Sequence, residues 1–376
     1  MEVYLDNAAT TRPSKEALDA FNRVATECYG NASALHGLGL KAEKEIKKAR
    51  QALAGALCCD ASEIVFTSGG TESDNLAILG AVQSLKHQGR HIITTKMEHH
   101  AVLHTFAHLE ANGWQVSYIG TKPNGEVDLE ELKQAVRPDT VFISVMAVNN
   151  ETGVVQPIEK LKEIAPKAVI HSDCVQALGK IPLNPSKMQV DLMSFSAHKV
   201  HALKGVGALY VKKGIKLSPQ SFGGDQEGIR SGTMNAPGIV AFGLEAERIA
   251  KDGTRLMADL KEKREYLKEK LLEKIPEAVI NGEEAVHIVN VGFDGVRGEV
   301  LLHALENVGV YVSTGSACTS KSTKISHVLE SMGVRRTLAQ GSVRISLGND
   351  TTYEELDLAA EEMAKQVAFL KRFKRR

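Results

Sequence analysis

The chain has 376 residues, 43% of them hydrophobic and 24% charged, with 46 Lys and Arg set against 46 Asp and Glu. A formal net charge of zero gives no broad basic field for nucleic acid and no acidic field for cationic partners. The length exceeds what one small core needs, and no run of about 18 apolar residues is present to cross a membrane.

The chain starts MEVYLDNAATTRP, with no basic segment followed by an apolar run, so no secretory leader is expected. Helical periodicity covers 14–29 and 37–58, where Leu40, Ile46 and Leu53 recur among Lys, Glu and Arg. A β-rich run at 63–67 feeds the segment Ser68–Ser73, which opens a helix to about residue 85. Strands are expected at 91–95, 114–119, 141–145, 169–173, 192–196 and 207–211, and helices at 101–112, 128–136 and 158–165. This alternation predicts an α/β fold with a mostly parallel, helix-covered sheet. From 236 the pattern changes. One or two long charged helices cover 236–274, with Leu260, Tyr266, Leu267 and Leu271 on a stripe. A strand at 287–291, a helix at 298–308, strands at 310–312 and 342–346 and a helix at 352–372 follow, the pattern of a smaller α+β unit. The expected division is 14–250 as the large unit and 1–13 with 251–376 as the small one. No repeat, low-complexity tract or Pro/Ser-rich linker marks the boundary. The basic end, Lys371 to Arg376, reads as a solvated helix end.

The cysteines are Cys28, Cys58, Cys59, Cys174 and Cys318, an odd number without a C-x-x-C pair. That argues against a disulfide framework, a structural zinc site or a bound iron–sulfur cluster, and fits reduced thiols in the cytoplasm.

Four segments carry chemistry. In Ser68-Gly69-Gly70-Thr71 a strand enters a Gly pair and then a helix, which serves equally as an anion cradle or as an ordinary helix start capped by Thr71 or Ser68. It is neither a P-loop nor the dinucleotide G-x-G-x-x-G turn. Asp173 ends an apolar strand, where open α/β sheets place ligands, with Gln176 close behind. Lys199 follows the next strand and could form a Schiff base with an aldehyde cofactor. Alone, each residue reads as an ordinary loop cap or surface lysine; the combination with the Gly turn is far more specific. The run Val312–Lys324 is almost free of apolar side chains and holds Cys318 at its middle, beside Lys321 and Lys324, which favour thiolate. A thiol there suits a travelling nucleophile, whereas Cys58 and Cys174 read as buried fillers. The pair His99-His100 after Glu98 lacks matching metal ligands, and an imidazole stacked on a ring or moving protons fits equally well.

The sequence resembles cysteine desulfurases of the NifS/IscS type, within the class V aminotransferase group of fold-type I pyridoxal-phosphate (PLP) enzymes. The resemblance runs through Tyr4–Thr11, Gly30–Ser33 with His36, Thr67–Ser73, Glu98-His99, Asn149–Gly153, Asp173 with Gln176, Ser196–Lys199, Arg230–Thr233, Gly315–Cys318 and Val343–Gly348. It implies PLP held by Lys199, with Asp173 at the ring nitrogen, Gln176 at the phenolic oxygen, His99 stacked on the ring and Asn150 in contact. Gly70, Thr71, Ser196 and His198 would hold the phosphate, with Thr233 reaching in from a second subunit of a homodimer. Arg344 with Asn31 would clamp the carboxylate of L-cysteine, Lys199 and His99 would move protons, and Cys318 would take the sulfur as a persulfide. An iron–sulfur scaffold or a tRNA-thiolation enzyme would then accept it; no metal, nucleic acid or membrane takes part. The sequence departs from the family pattern at Ala202-Leu203, where a Gly-Pro pair is usual, and in 223–230, one residue short. The alternatives are a selenocysteine lyase, another class V aminotransferase-like enzyme, or a non-enzymatic interaction protein, against which Lys199, Asp173 and Cys318 argue.

Overall fold

A computed structural model describes residues 2–224, 226–282, 284–314 and 325–373. The strands are β1 (Val3–Tyr4), β2 (Ile64–Thr67), β3 (His91–Thr95), β4 (Gln115–Ile119), β5 (Thr140–Ser144), β6 (Val169–Asp173), β7 (Leu192–Ser196), β8 (Gly207–Val211), β9 (Val279–Ile280), β10 (Ile288–Gly292), β11 (Val310–Tyr311) and β12 (Ser342–Ser346). The helices are α1 (Lys15–Glu27), α2 (Gly37–Leu57), α3 (Gly70–Leu85), α4 (His100–Ala111), α5 (Leu129–Ala135), α6 (Leu161–Ile164), α7 (Pro185–Met188), α8 (Ala236–Lys274), α9 (Gly298–Glu306), α10 (His327–Ser331), α11 (Arg336–Gln340) and α12 (Tyr353–Phe373).

A seven-stranded sheet runs in the order β2-β8-β7-β6-β5-β3-β4. Strands β4, β3, β5, β6 and β7 are parallel, and β8 runs against both β7 and β2. Both faces are covered, which explains why the strands read as unbroken apolar runs. Alternate residues divide between two cores: Phe66, Ile93, Ile143, Ile170 and Phe195 face one, while Val65, Ile92, Phe142, Val169 and Leu192 face the other. The mostly parallel, helix-covered sheet is therefore as expected. A separate apolar core joins β1, β10, β11 and β12 to α9, α12 and the second half of α8, where Leu260, Leu267 and Leu271 are fully buried.

Residues 236–274 form a single helix of 39 residues, about 58 Å long at 1.5 Å per residue. Its start is capped by Asn235, whose side chain accepts from the Gly238 N–H, with Pro237 in the first turn. The expected helix at 158–165 instead opens with a 3-10 turn before α6, and the expected strand at 287–291 moves one residue on, to β10. The elements β1, β9, α7, α10 and α11 are additional to those expected; two-residue strands and single-turn helices are too short to establish a period. Among the described residues no helix is long and apolar enough to cross a membrane. The parallel strands all point their C-terminal ends the same way, and the turns after β3, β5, β6 and β7 meet the start of α3 there.

Candidate active site

A cavity of about 280 Å³ lies at that meeting point. Its anion-sized end is the start of α3. Gly69 caps the helix with no side-chain hydrogen bond, so the first N–H groups of α3 are not satisfied by a cap. Gly69 sits at φ 156° and ψ −178°, a backbone region that L side chains rarely adopt. A Cβ on Gly207 of β8 would fall 2.6 Å from the Gly69 Cα, so both glycines are needed to bring the turn down onto the sheet. Gly70 and Thr71 line the cavity beside Ser196 and His198. The Ser196 hydroxyl is buried without a partner. His198 Nδ1 lies 3.1 Å from Thr10 Oγ1, and burial, then the neighbouring Lys199 and Lys204, push its pKa down to about 4, leaving the ring neutral.

Asp173 closes β6 at the cavity floor, accepting from the Val175 N–H at 2.9 Å. Burial raises its pKa to about 6, opposed by that hydrogen bond and by Lys199. Lys199 ends the 3-10 turn after β7, and its Nζ donates to the carbonyl oxygens of Ala8 (2.6 Å) and Ala9 (2.7 Å). Gln176 donates from Nε2 to the same Ala8 carbonyl at 2.8 Å. The N-terminal segment thus roofs the pocket, tied as well by Thr11, whose Oγ1 donates to the His198 carbonyl.

His99 caps α4: its Nδ1 accepts from the Ala101 N–H at 3.1 Å, which puts the ring proton on Nε2. Burial, then Lys199 and three neighbouring histidines, lower its pKa to about 4. At the far wall Arg344 of β12 is nearly fully buried, with Nη2 donating to Asp6 at 2.7 Å and Nη1 to the Asn150 carbonyl at 2.8 Å. Its Nε and the Asn150 Oδ1 are buried and unpartnered.

The structure therefore brings Gly70, Thr71, His99, Asn150, Asp173, Gln176, Ser196, His198, Lys199 and Arg344 into one cavity. Asn31 and Thr233 are exposed and do not line it; the Asn31 side chain accepts from the Ser33 N–H. Cys318 lies outside the described residues. At the two departures, Ala202 is buried with its N–H on the Ala197 carbonyl, and Gln226 bonds both ways to the backbone of Phe66, covering the edge of β2.

The lining residues that sequence reasoning did not place at the site include four ionisable ones. Asp74, Glu98 and Glu151 are buried acids whose pKa values desolvation raises, and His327 donates from Nε2 to the Glu98 carbonyl at 3.1 Å. Glu98 and Glu151 stand inside the quoted motifs, which was the available signal. Asp74 lies 3.7 Å from His171, whose own pKa burial lowers to about 3, so the ring is neutral and the contact is not an ion pair. The His100 ring packs 5.2 Å from those of His104 and His327, yet among the described residues no group of His, Cys, Asp or Glu is arranged to hold a metal ion.

The aminotransferase class-V family model matches residues 3–358. The cysteine desulfurase IscS of Methanosarcina thermophila is 44% identical over 98% of this chain and 93% of its own length. A solved NifS-like protein superposes with a TM-score of 0.92 at 37% identity, covering 98% of this chain and all of the other. SspA, solved in complex with cysteine, superposes with a TM-score of 0.80 at 33% identity, covering 93% of this chain and all of its own.

Proposed function

The chain belongs to the aminotransferase class-V family and, within it, to the cysteine desulfurases; from that premise we propose that it holds pyridoxal 5'-phosphate in the cavity at the strand ends, converts L-cysteine to L-alanine and takes the sulfur onto Cys318. The single observation that carries this reading is the convergence of Lys199, Asp173 and an uncapped helix start on one cavity.

The residues present fit the cofactor. A phosphate needs several donors and no competing cap, and the start of α3 with the unpartnered Ser196 hydroxyl offers that. Gly70, Thr71, Ser196 and the neutral His198 would hold it, joined by Thr233 of a second copy. Asp173, its pKa raised by burial, gains by pairing with a cationic ring nitrogen, which favours its carboxylate form. Gln176 would face the phenolic oxygen, Asn150 would add a contact, and His99 would cover the ring face. When bound, the cofactor supplies an electron sink for negative charge left on the substrate's α-carbon.

The chain's own groups do the rest. Lys199 would hold the cofactor covalently and, once released by substrate, take the α-proton as a base. Arg344, immobilised by Asp6 and the Asn150 carbonyl, keeps its Nε–H for the substrate carboxylate; Asn31, outside the cavity of the single chain, would join the clamp only after a movement of its segment. His99 carries its proton on Nε2 and would pass protons to and from the substrate thiol. The Cys318 thiolate forms a bond to the substrate sulfur as the sulfur–β-carbon bond breaks. The electron pair of the broken bond stays with carbon, which takes a proton, so one cysteine gives one alanine and one persulfide with no outside oxidant or reductant. The persulfide would then pass to an acceptor protein such as an iron–sulfur scaffold or a tRNA-thiolation enzyme. The small unit, 1–13 with 251–376, would carry Cys318 beside the large one; the separate core of residues 3–5 and 260–367 supports that division.

Mass analysis after exposure to L-cysteine tests the proposal. The expected result is one extra sulfur mapped to Cys318, with alanine released, and loss of both in Cys318→Ala. Full activity in Cys318→Ala without an adduct would point instead to another class V chemistry.

A further inference from the structure

His287 precedes β10, distant along the chain from the turns that build the cavity, and is buried at 2% exposure. Its backbone is fixed by the Leu347 N–H, which donates to the His287 carbonyl at 2.8 Å. Its Nε2 lies 3.2 Å from Gln176 Oε1, while Gln176 Nε2 donates to the Ala8 carbonyl at 2.8 Å. These contacts settle each other's protons. Only the amide nitrogen can face a carbonyl, so the Gln176 oxygen must face His287. An amide oxygen cannot donate, so His287 Nε2 carries the ring proton and Nδ1 carries only a lone pair. That Nδ1 is buried with no partner. Burial first, and then Lys180, Arg344, Lys199 and Arg264 around it, hold the imidazole well below its ordinary pKa, so it stays neutral with its one proton on Nε2.

We propose that His287 is a positioning residue that pins the Gln176 amide by its oxygen, leaving a hydrogen-bond donor as the only thing Gln176 can present to the cofactor's ring oxygen. The inference rests on the cofactor reading above. Gln176 has one amide hydrogen left after Ala8 is served, and the side chain lines the cavity. With its oxygen released, the amide is held by the Ala8 carbonyl alone and could turn at the cost of that one bond, aiming a lone pair at an anionic oxygen, an arrangement that repels rather than binds. A buried imidazole whose Nδ1 lone pair has no partner is costly, and a mere space-filler would be cheaper as Leu or Met.

The test is a pH titration of the visible absorption of the holoenzyme without substrate. A donor on the ring oxygen draws off negative charge and lowers the pH at which the absorption changes, so its loss raises that pH. His287→Leu should move the midpoint up by about one pH unit, a tenfold change in proton affinity, in the direction of Gln176→Leu. His287→Asn, which keeps an N–H, should recover part of the shift. On a Gln176→Leu background, His287→Leu should add nothing. His287→Met, apolar and flexible enough to fill the space, gives the same readings if the leucine variant does not fold. A midpoint unmoved by His287→Leu or His287→Met while Gln176→Leu moves it would overturn the inference, as would shifts that simply add. If Gln176→Leu also leaves the midpoint in place, it is the assignment of Gln176 to the ring oxygen that fails.

Discussion

Glu98 keeps one carboxyl oxygen on Thr95 Oγ1 (2.7 Å) and the Met146 N–H (3.0 Å), while the other is buried without a partner. Burial outweighs both hydrogen bonds and pushes its pKa up to about 8. The folded chain therefore binds a proton at Glu98 that the unfolded chain has released, so its contribution to stability is whole below about pH 4.5 and is lost as pH rises towards 8. Glu98→Gln keeps the two accepted hydrogen bonds and removes the ionisation. In denaturant melts of the cofactor-free protein, the wild type should lose stability between pH 5 and 9 by an amount on the order of a few kcal/mol, and the variant should lose less. Parallel pH curves for the two proteins would show that Glu98 ionises freely. Nothing in the sequence around Glu98 signals this. Lys96, His99 and His100 are its polar neighbours, whereas the groups that act on it in the fold, the Met146 N–H and Asp173, are distant in the chain. Asp173 and Lys199 were legible because a polar residue at or just past the end of an apolar strand is itself a sequence signal. His287 was not, because its role depends on Gln176 and Ala8, which only folding brings to it.

At the scale of elements, the turn between β2 and α3 depends on a strand that follows it by more than a hundred residues. A methyl on Gly207 would meet the Gly69 Cα at 2.6 Å and the Phe195 carbonyl at 2.6 Å, all backbone, so nothing nearby can swing aside. Gly207→Ala should cost about 1–3 kcal/mol of stability and weaken PLP retention by moving the start of α3 away from Ser196. Guanidinium melts of the apo protein and cofactor dissociation rates check the two effects; unchanged dissociation would separate the turn from the phosphate site. The Gly pair at 69–70 was legible as a turn, but its closeness to Gly207 was not, because sequence does not say that β8 lies between β2 and β7. The reversal of β8 has a local cause. Only residues 197–206 separate it from β7, fewer than the roughly dozen that the crossover of a parallel pairing needs.

For the whole molecule, the single chain leaves large apolar side chains in water. Leu35 is 94% exposed, Phe222 88% and Tyr29 69%. Tyr29 and Leu35 flank Asn31, and Phe222 opens the stretch that runs to Thr233, the two expected site residues that the single chain does not bring to the cavity. A second copy laid over these segments would cover the apolar groups and could deliver Thr233 across the interface, which is the homodimer that the resemblance implied. Sequence could anticipate such an interface only through the family, because an exposed Leu and a buried one look alike in an amphipathic run. The expected native mass by light scattering is twice that of one chain. Leu35→Asp combined with Phe222→Asp touches no packed side chain core, so it should leave the fold intact, shift the mass to that of one chain and speed loss of cofactor, because the phosphate would lose the hydroxyl from across the interface. A wild-type holoenzyme that runs as a single chain and still holds its cofactor tightly would remove both the dimer and the part given to Thr233, leaving Gly70, Thr71, Ser196 and His198 to hold the phosphate alone.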